Sequence, residues 1–182
     1  MQLSAMKNIL AFGLFLSALL GSMVAQAQCL SLADLTAIAA NSNALAKPES
    51  LTQLPAGNWI FKGTPPRSKE IQWISAATSA DADGVHSPAT FSLRPFLQSF
   101  DVVLKTTEAG CVRDVRAELK NLKLTPVPVT CPGCEAVRYD GPGYQATLYS
   151  KMKGGYPFVV VVHPLTTTPV VETKQSGTTT TP

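Results

Sequence analysis

Residues 144–163 read YQATLYSKMKGGYPFVVVVH, and this stretch decides the fold. The first seven residues alternate between two faces, with Tyr144, Ala146 and Leu148 on one face and Gln145, Thr147 and Tyr149 on the other. The run 158–163 is apolar on both faces, which predicts a strand in the middle of a sheet. Residues 153–155 supply a turn between them. Two neighbouring antiparallel strands therefore end the folded part of the chain.

Shorter segments upstream show the same two-residue period and predict further strands. These segments are 59–61, 70–75, 91–93, 100–106 and 136–139, with Pro95 ending the third of them. Residues 125–129 are also extended, but their two prolines lack the N–H group that an interior strand needs. Residues 79–84 are polar and predict a loop.

Two segments have the spacing of amphipathic helices. From residue 31 to about residue 46, apolar side chains recur at helical intervals, and Ser31 with Asp34 forms a shortened capping box. Pro48 stops this helix. Residues 111–124 fit either a helix or a strand, and helix-forming residues favour a helix over 113–123.

The pattern predicts an α+β fold, because short connections imply antiparallel pairing. We expect an antiparallel sheet of about six to seven strands, with one or two helices packed on one face and disulfides as staples. The order of one helix followed by several strands occurs twice, which suggests a two-fold structural duplication. The order of elements resembles that of small periplasmic binding or inhibitor domains such as beta-lactamase inhibitor protein. This resemblance concerns the fold alone and carries over no residue.

The first 27 of the 182 residues have the pattern of a signal peptide. Lys7 precedes an apolar run over 9–20, and Ala25-Gln26-Ala27 is a cleavage site, so we expect cleavage after Ala27. The alternative, a membrane anchor, is disfavoured because the apolar run is short. Residues 28–164 then form a single domain, and 165–182 a disordered Thr/Pro-rich tail. The expected location is periplasmic or extracellular, without stable membrane insertion after cleavage.

The charge of the chain argues against nucleic acid as a partner. The formal net charge is only +3, and no cluster of Lys and Arg concentrates it.

Four cysteines lie in the predicted mature chain, which indicates two disulfides in an oxidising compartment. Three connectivities are open, and we favour Cys29–Cys111 with Cys131–Cys134. Three interpretations of Cys131-Pro132-Gly133-Cys134 also remain: a disulfide-closed turn, a zinc knuckle and a thiol–disulfide motif. Zinc needs four ligands, and no second paired spacing supplies them. A redox motif needs a helix that starts at the cysteines, whereas a strand follows here.

Reactive side chains are scarce. His86 and His163 are the only histidines, and the sequence has no nucleophile elbow, zinc-protease motif or phosphate loop. We therefore assign no catalytic residue, no metal ligand and no cofactor. The sequence favours a non-enzymatic role.

Aromatic side chains give the better functional signal. Tyr144 and Tyr149 are the candidate binding residues, since aromatic groups on a solvent-facing sheet surface suit protein or glycan contacts. The sequence thus predicts an exported, non-enzymatic binding domain with a protein, envelope or glycan partner. An exported thiol–disulfide protein and a small zinc-binding module are the alternatives.

Overall fold

The computed structural model describes residues 29–54, 58–81, 84–97 and 99–165. The predicted signal peptide and nearly all of the predicted tail lie outside these residues. The described residues contain two α-helices, α1 (Leu32–Ala40) and α2 (Ala109–Asn121), and a short 3₁₀ helix (Pro48–Ser50). No described helix is long and apolar enough to cross a membrane.

The strands form one large sheet and one small hairpin. The large sheet contains β1 (Trp59–Gly63), β2 (Ile71–Ser75), β5 (Ala89–Phe96), β6 (Ser99–Thr106), β7 (Pro126–Val129), β8 (Glu135–Gly141), β9 (Tyr144–Ser150) and β10 (Phe158–Pro164). The hairpin pairs β3 (Ser79–Asp81) with β4 (Gly84–His86).

The large sheet is antiparallel throughout, in the order β1-β2-β5-β6-β10-β9-β8-β7. Each half of the chain contributes one helix followed by four of these strands. The last strand of each half, β6 and β10, pairs with the other in the centre. The order is therefore symmetric about the β6–β10 pair, as a two-fold structural duplication requires.

The α+β class is confirmed, but the sheet is larger than predicted. The eighth strand is β7, whose prolines are accommodated because β7 lies at the edge of the sheet. Residues 79–81 and 84–86 are strands rather than the predicted loop. Pro95 also does not end β5: the pairing of β2 with β5 extends only to Leu93, so no strand needs an N–H group from Pro95 on that side.

The helix boundaries differ from the predicted ones for local reasons. The Ser31–Asp34 capping box is present: Ser31 Oγ accepts the Asp34 N–H at 3.1 Å, and Asp34 Oδ2 accepts the Ser31 N–H at 3.0 Å. The helix ends at Ala40 because Asn41 is extended and its side chain accepts the Asn43 N–H. Residues 113–121 are helical as favoured, but α2 starts earlier, at Ala109, and ends at Asn121. Leu122 is the C-cap, and Lys123 has a left-handed φ of 59° that a helix cannot continue through.

One core lies between the sheet and the two helices. Both helices contact β10, and α1 also contacts β6. Buried α1 residues such as Leu35 join buried α2 residues such as Val115 and the inward side chains of the central strands. The sheet thus has a helix-covered face and an opposite face, which we call the open face.

Two disulfides cross-link the fold. Cys29, just before α1, is bonded to Cys111 in the first turn of α2, with the two Cα atoms 5.2 Å apart. Cys131 and Cys134 close a turn before β8, where the Cys134 N–H donates to the Cys131 carbonyl at 3.3 Å. The first bond joins the two halves of the fold, and the second is local.

Candidate functional site

The open face carries an apolar row that crosses the whole sheet. Residues directly opposite one another in an antiparallel sheet share a face, so the strand registers define such rows. One row has a residue from each strand of the large sheet: Ile60, Ile74, Thr90, Lys105, Val159, Tyr149, Ala136 and Val129. Six of the eight are hydrophobic, whereas the solvated face of an antiparallel sheet is ordinarily polar. Thr90, Val159 and Ala136 are buried within the row, and Ile60 at its end is 46 % exposed.

A second row, which we call the charged row, runs nearer to the β5–β6 turn. It consists of Arg94, Asp101, His163, Gln145 and Asp140. Gln145 Nε2 donates to Asp140 at 2.8 Å, and Arg138 Nε lies 3.1 Å from the same carboxylate. Two neighbouring pairs of this row, Asp101 with His163 and Gln145 with Asp140, are joined by polar contacts. The open face is apolar on one side and ionic on the other.

Glu70 is a contact point for several polar groups at one end of the charged row. Its carboxylate lies 3.3 Å from Arg94 Nε and 3.6 Å from Lys105 Nζ, and it accepts a hydrogen bond from Ser92 Oγ at 3.0 Å. These partners come from β5 and β6, so Glu70 fixes two long cationic side chains across the open face. Each exposed pair contributes little stability on its own.

His163 is held in one orientation at the centre of the charged row. Its Nδ1 lies 2.8 Å from Asp101 Oδ1, and the ring of Phe96 meets the imidazole edge-on, with ring centroids 5.1 Å apart. Within the described part of the chain, no Ser, Thr or Cys side chain hydrogen-bonds to His163. Asp101 and Phe96 thus fix the imidazole ring from two sides.

The tip of the β5–β6 hairpin is apolar and exposed. Phe96 is 47 % exposed and Leu97 is 93 % exposed. Leu97 has a backbone φ of 51°, a left-handed conformation that a leucine rarely adopts. Strained and exposed apolar residues of this kind concentrate at functional sites. Neither was predicted, since 95–99 contain no glycine, asparagine or aspartate to indicate a tight turn.

The two predicted binding tyrosines lie on opposite faces. Tyr149 is half-buried in the apolar row of the open face, between Val159 and Ala136. Tyr144 is only 9 % exposed and belongs to the helix-side core. Tyr144 therefore takes no part in the open face, because the alternation of β9 turns it towards the helices.

The cysteine pair at 131 and 134 lies in a turn between β7 and β8, away from the start of either described helix. The described residues also contain no group of three or more His, Cys, Asp or Glu side chains arranged to hold a metal ion. The position of the bonded pair in a turn before a strand favours the interpretation of Cys131-Pro132-Gly133-Cys134 as a disulfide-closed turn. The side chain of His86 lies outside what the structure describes.

Comparisons with known proteins leave the site to be interpreted from its own geometry. No family model, no curated protein and no solved structure matches the chain.

Proposed function

We propose that this chain is an exported, non-enzymatic binding domain that engages a protein partner through the open face. The observation that carries the proposal is the apolar row across all eight strands, in which Ile60 is 46 % exposed and Tyr149 is half-buried, together with the exposed tip at Phe96 and Leu97. Exposed apolar side chains grouped on one surface are typical of a protein-binding site.

The charges on this face favour a protein over a polyanion. Three acidic side chains, Glu70, Asp101 and Asp140, balance three basic ones, Arg94, Lys105 and Arg138. A nucleic acid or another polyanion requires a net positive surface. Balanced charges beside an apolar row instead suit a folded partner that presents apolar side chains and paired charges of its own.

Export is supported by the sequence of the leader and by the disulfides. The Cys29–Cys111 bond joins segments 82 residues apart, and disulfides persist in oxidising compartments. In this proposal the cysteines are structural, because Cys131 and Cys134 are bonded to each other in a turn that precedes a strand.

Site-directed photo-crosslinking in the cells that make the protein tests the proposal. A photo-reactive residue at Thr147 or Tyr149 reports on the open face, and one at Asp114 or Lys120 reports on the exposed side of α2. We expect one discrete crosslinked protein from the first two positions and none from the other two. Adding Phe96→Ala to the Thr147 probe should reduce the yield. Crosslinks confined to α2, or none from the open face, would refute the proposal.

A further inference from the structure

A groove lies on the helix side of the sheet, separate from the open face. Two adjoining cavities of about 450 Å³ and about 490 Å³ lie beside α1 and share Ala33, Thr36, Pro142 and Tyr144. The first continues to Glu118 of α2 and to Leu122, the residue that caps α2. We call the two cavities together the helix groove. Each has the volume of a small-molecule site.

The walls of the helix groove are mostly apolar. On the α1 side they are formed by small residues, among them Ala33, Ala37 and Ala40, all exposed. The exposed face of a helix ordinarily carries charged or polar residues. The polar side chain in the α1 wall of the groove is Thr36, whose hydroxyl donates to the Leu32 carbonyl at 2.9 Å. Leu122, 57 % exposed, extends the apolar surface at the α2 end. An aliphatic chain could contact apolar side chains along most of the length of the helix groove.

Tyr144 supplies a polar group within this apolar groove. Its side chain lines both cavities, and the residue is nine-tenths buried. Its Oη atom is buried and has no hydrogen-bond partner among the described residues. Buried hydroxyls are normally paired, so an acceptor on a bound molecule would satisfy this one.

The charge in the groove restricts the ligand further. Burial, and secondarily the negative charge of Glu118, raise the pKa of Tyr144, so its hydroxyl stays a neutral donor. Glu118 lines the same cavity and would repel a carboxylate or phosphate.

We propose that the helix groove binds an elongated, uncharged amphiphile, with its aliphatic chain along the alanines of α1 and a hydroxyl or amide oxygen accepting from Tyr144 Oη. This site is separate from the open face and independent of the partner proposed there.

Calorimetric titration with octan-1-ol, octanamide and octanoate tests this proposal on the full domain. We expect the two neutral ligands to bind, and octanoate to bind about tenfold more weakly or not at all because of Glu118. Lengthening the alcohol from butan-1-ol should tighten binding by about two- to fourfold per methylene group.

Two variants locate the binding site. Tyr144→Phe should weaken octanamide binding by about three- to tenfold, whereas Tyr149→Phe on the open face should leave it unchanged. Ala33→Leu, at an exposed helix position that tolerates leucine, fills the groove and should abolish binding without unfolding the domain. Equal affinity for octanoate and octan-1-ol, an unchanged Tyr144→Phe variant, or no binding of any of the three ligands would overturn the proposal. The crosslinking test of the open face is independent of all these outcomes.

Discussion

The ring of Tyr144 lies directly over the Cα atom of Gly141, its partner on the neighbouring strand. A Cβ atom added at position 141 would lie 2.7 and 2.8 Å from ring atoms Cε2 and Cε1, and closer still to Cζ. Only glycine leaves room for the ring in this position. The pair therefore fixes Tyr144 in the helix groove and explains why the tyrosine that begins β9 is buried.

Gly141→Ala should destabilise the domain by about 1–3 kcal/mol, because the new methyl group must displace the Tyr144 ring. Gly110→Ala is the matched control: position 110 lies in α2, where an added Cβ makes an ordinary contact of 3.7 Å with Arg113. That change should stabilise the domain by about 0.4–1 kcal/mol. Denaturant unfolding measures both, and equal effects of the same sign would contradict the Gly141–Tyr144 relationship.

Tyr144→Phe should leave the domain as stable as the wild type or up to about 1 kcal/mol more stable, because it removes a buried hydroxyl without a partner. Tyr149→Phe, in the half-buried apolar row, is the control and should change the unfolding free energy by less than about 0.5 kcal/mol. A marked loss of stability in Tyr144→Phe would mean that the hydroxyl has a partner.

The raised pKa values of Tyr144 and Tyr156 predict a loss of stability at alkaline pH. Burial raises both from the ordinary value of 10.0. Above that value the unfolded chain releases the phenolic protons while the folded chain keeps them, so stability falls as pH rises. Below it the contribution is intact. Unfolding midpoints followed through this range should fall less steeply for Tyr144→Phe than for the wild type, and parallel slopes would contradict the prediction.

The predictions that agree best with the structure come from the segments with the strongest periodic patterns. The bounds of β9 and the central position of β10 follow from alternation and from an apolar run on both faces. The capping residues Ser31 and Asp34 follow from their spacing. These patterns involve residues that are close together in the chain, so the sequence alone is enough to detect them.

Features that depend on pairing between distant segments could not be predicted. Asp101 meets His163 across neighbouring strands although 62 residues separate them. The hairpin of β3 and β4 has no apolar alternation. The two prolines of β7 exclude only an interior strand, so its pairing with β8 at the edge of the sheet is not visible in the sequence. The alternation of β9 places Tyr144 on the same face as Ala146 and Leu148. The contacts with Gly141 and with both helices come from other segments and are not visible in that pattern.

The two disulfides should differ in their effect on stability. Replacing Cys29 and Cys111 by serine should cost about 2–4 kcal/mol, because that bond closes a long loop in the unfolded chain. Replacing Cys131 and Cys134 should cost about 1–2 kcal/mol, since the loop they close is very short. Denaturant unfolding of the two double variants measures the difference, and a larger cost for the second pair would contradict this ranking.

Leu97→Asn should raise stability by about 0.5–1 kcal/mol, because asparagine tolerates the left-handed backbone that leucine adopts at this position. The same change removes an exposed apolar side chain from the hairpin tip and should weaken partner binding. Thermal unfolding and crosslinking yield from Thr147 measure the two effects. Lower stability together with an unchanged yield would show that Leu97 serves the fold rather than binding.

The affinity of the partner captured from Thr147 tests the central claim most directly. Titration of that purified partner should give a dissociation constant raised about tenfold or more by Phe96→Ala and by Tyr149→Ala, since aromatic anchors dominate protein interfaces. Lys120→Ala, on the exposed side of α2, should leave it within about twofold. Affinity that survives both aromatic substitutions but is lost with Lys120→Ala would show that the partner binds the helices and not the open face.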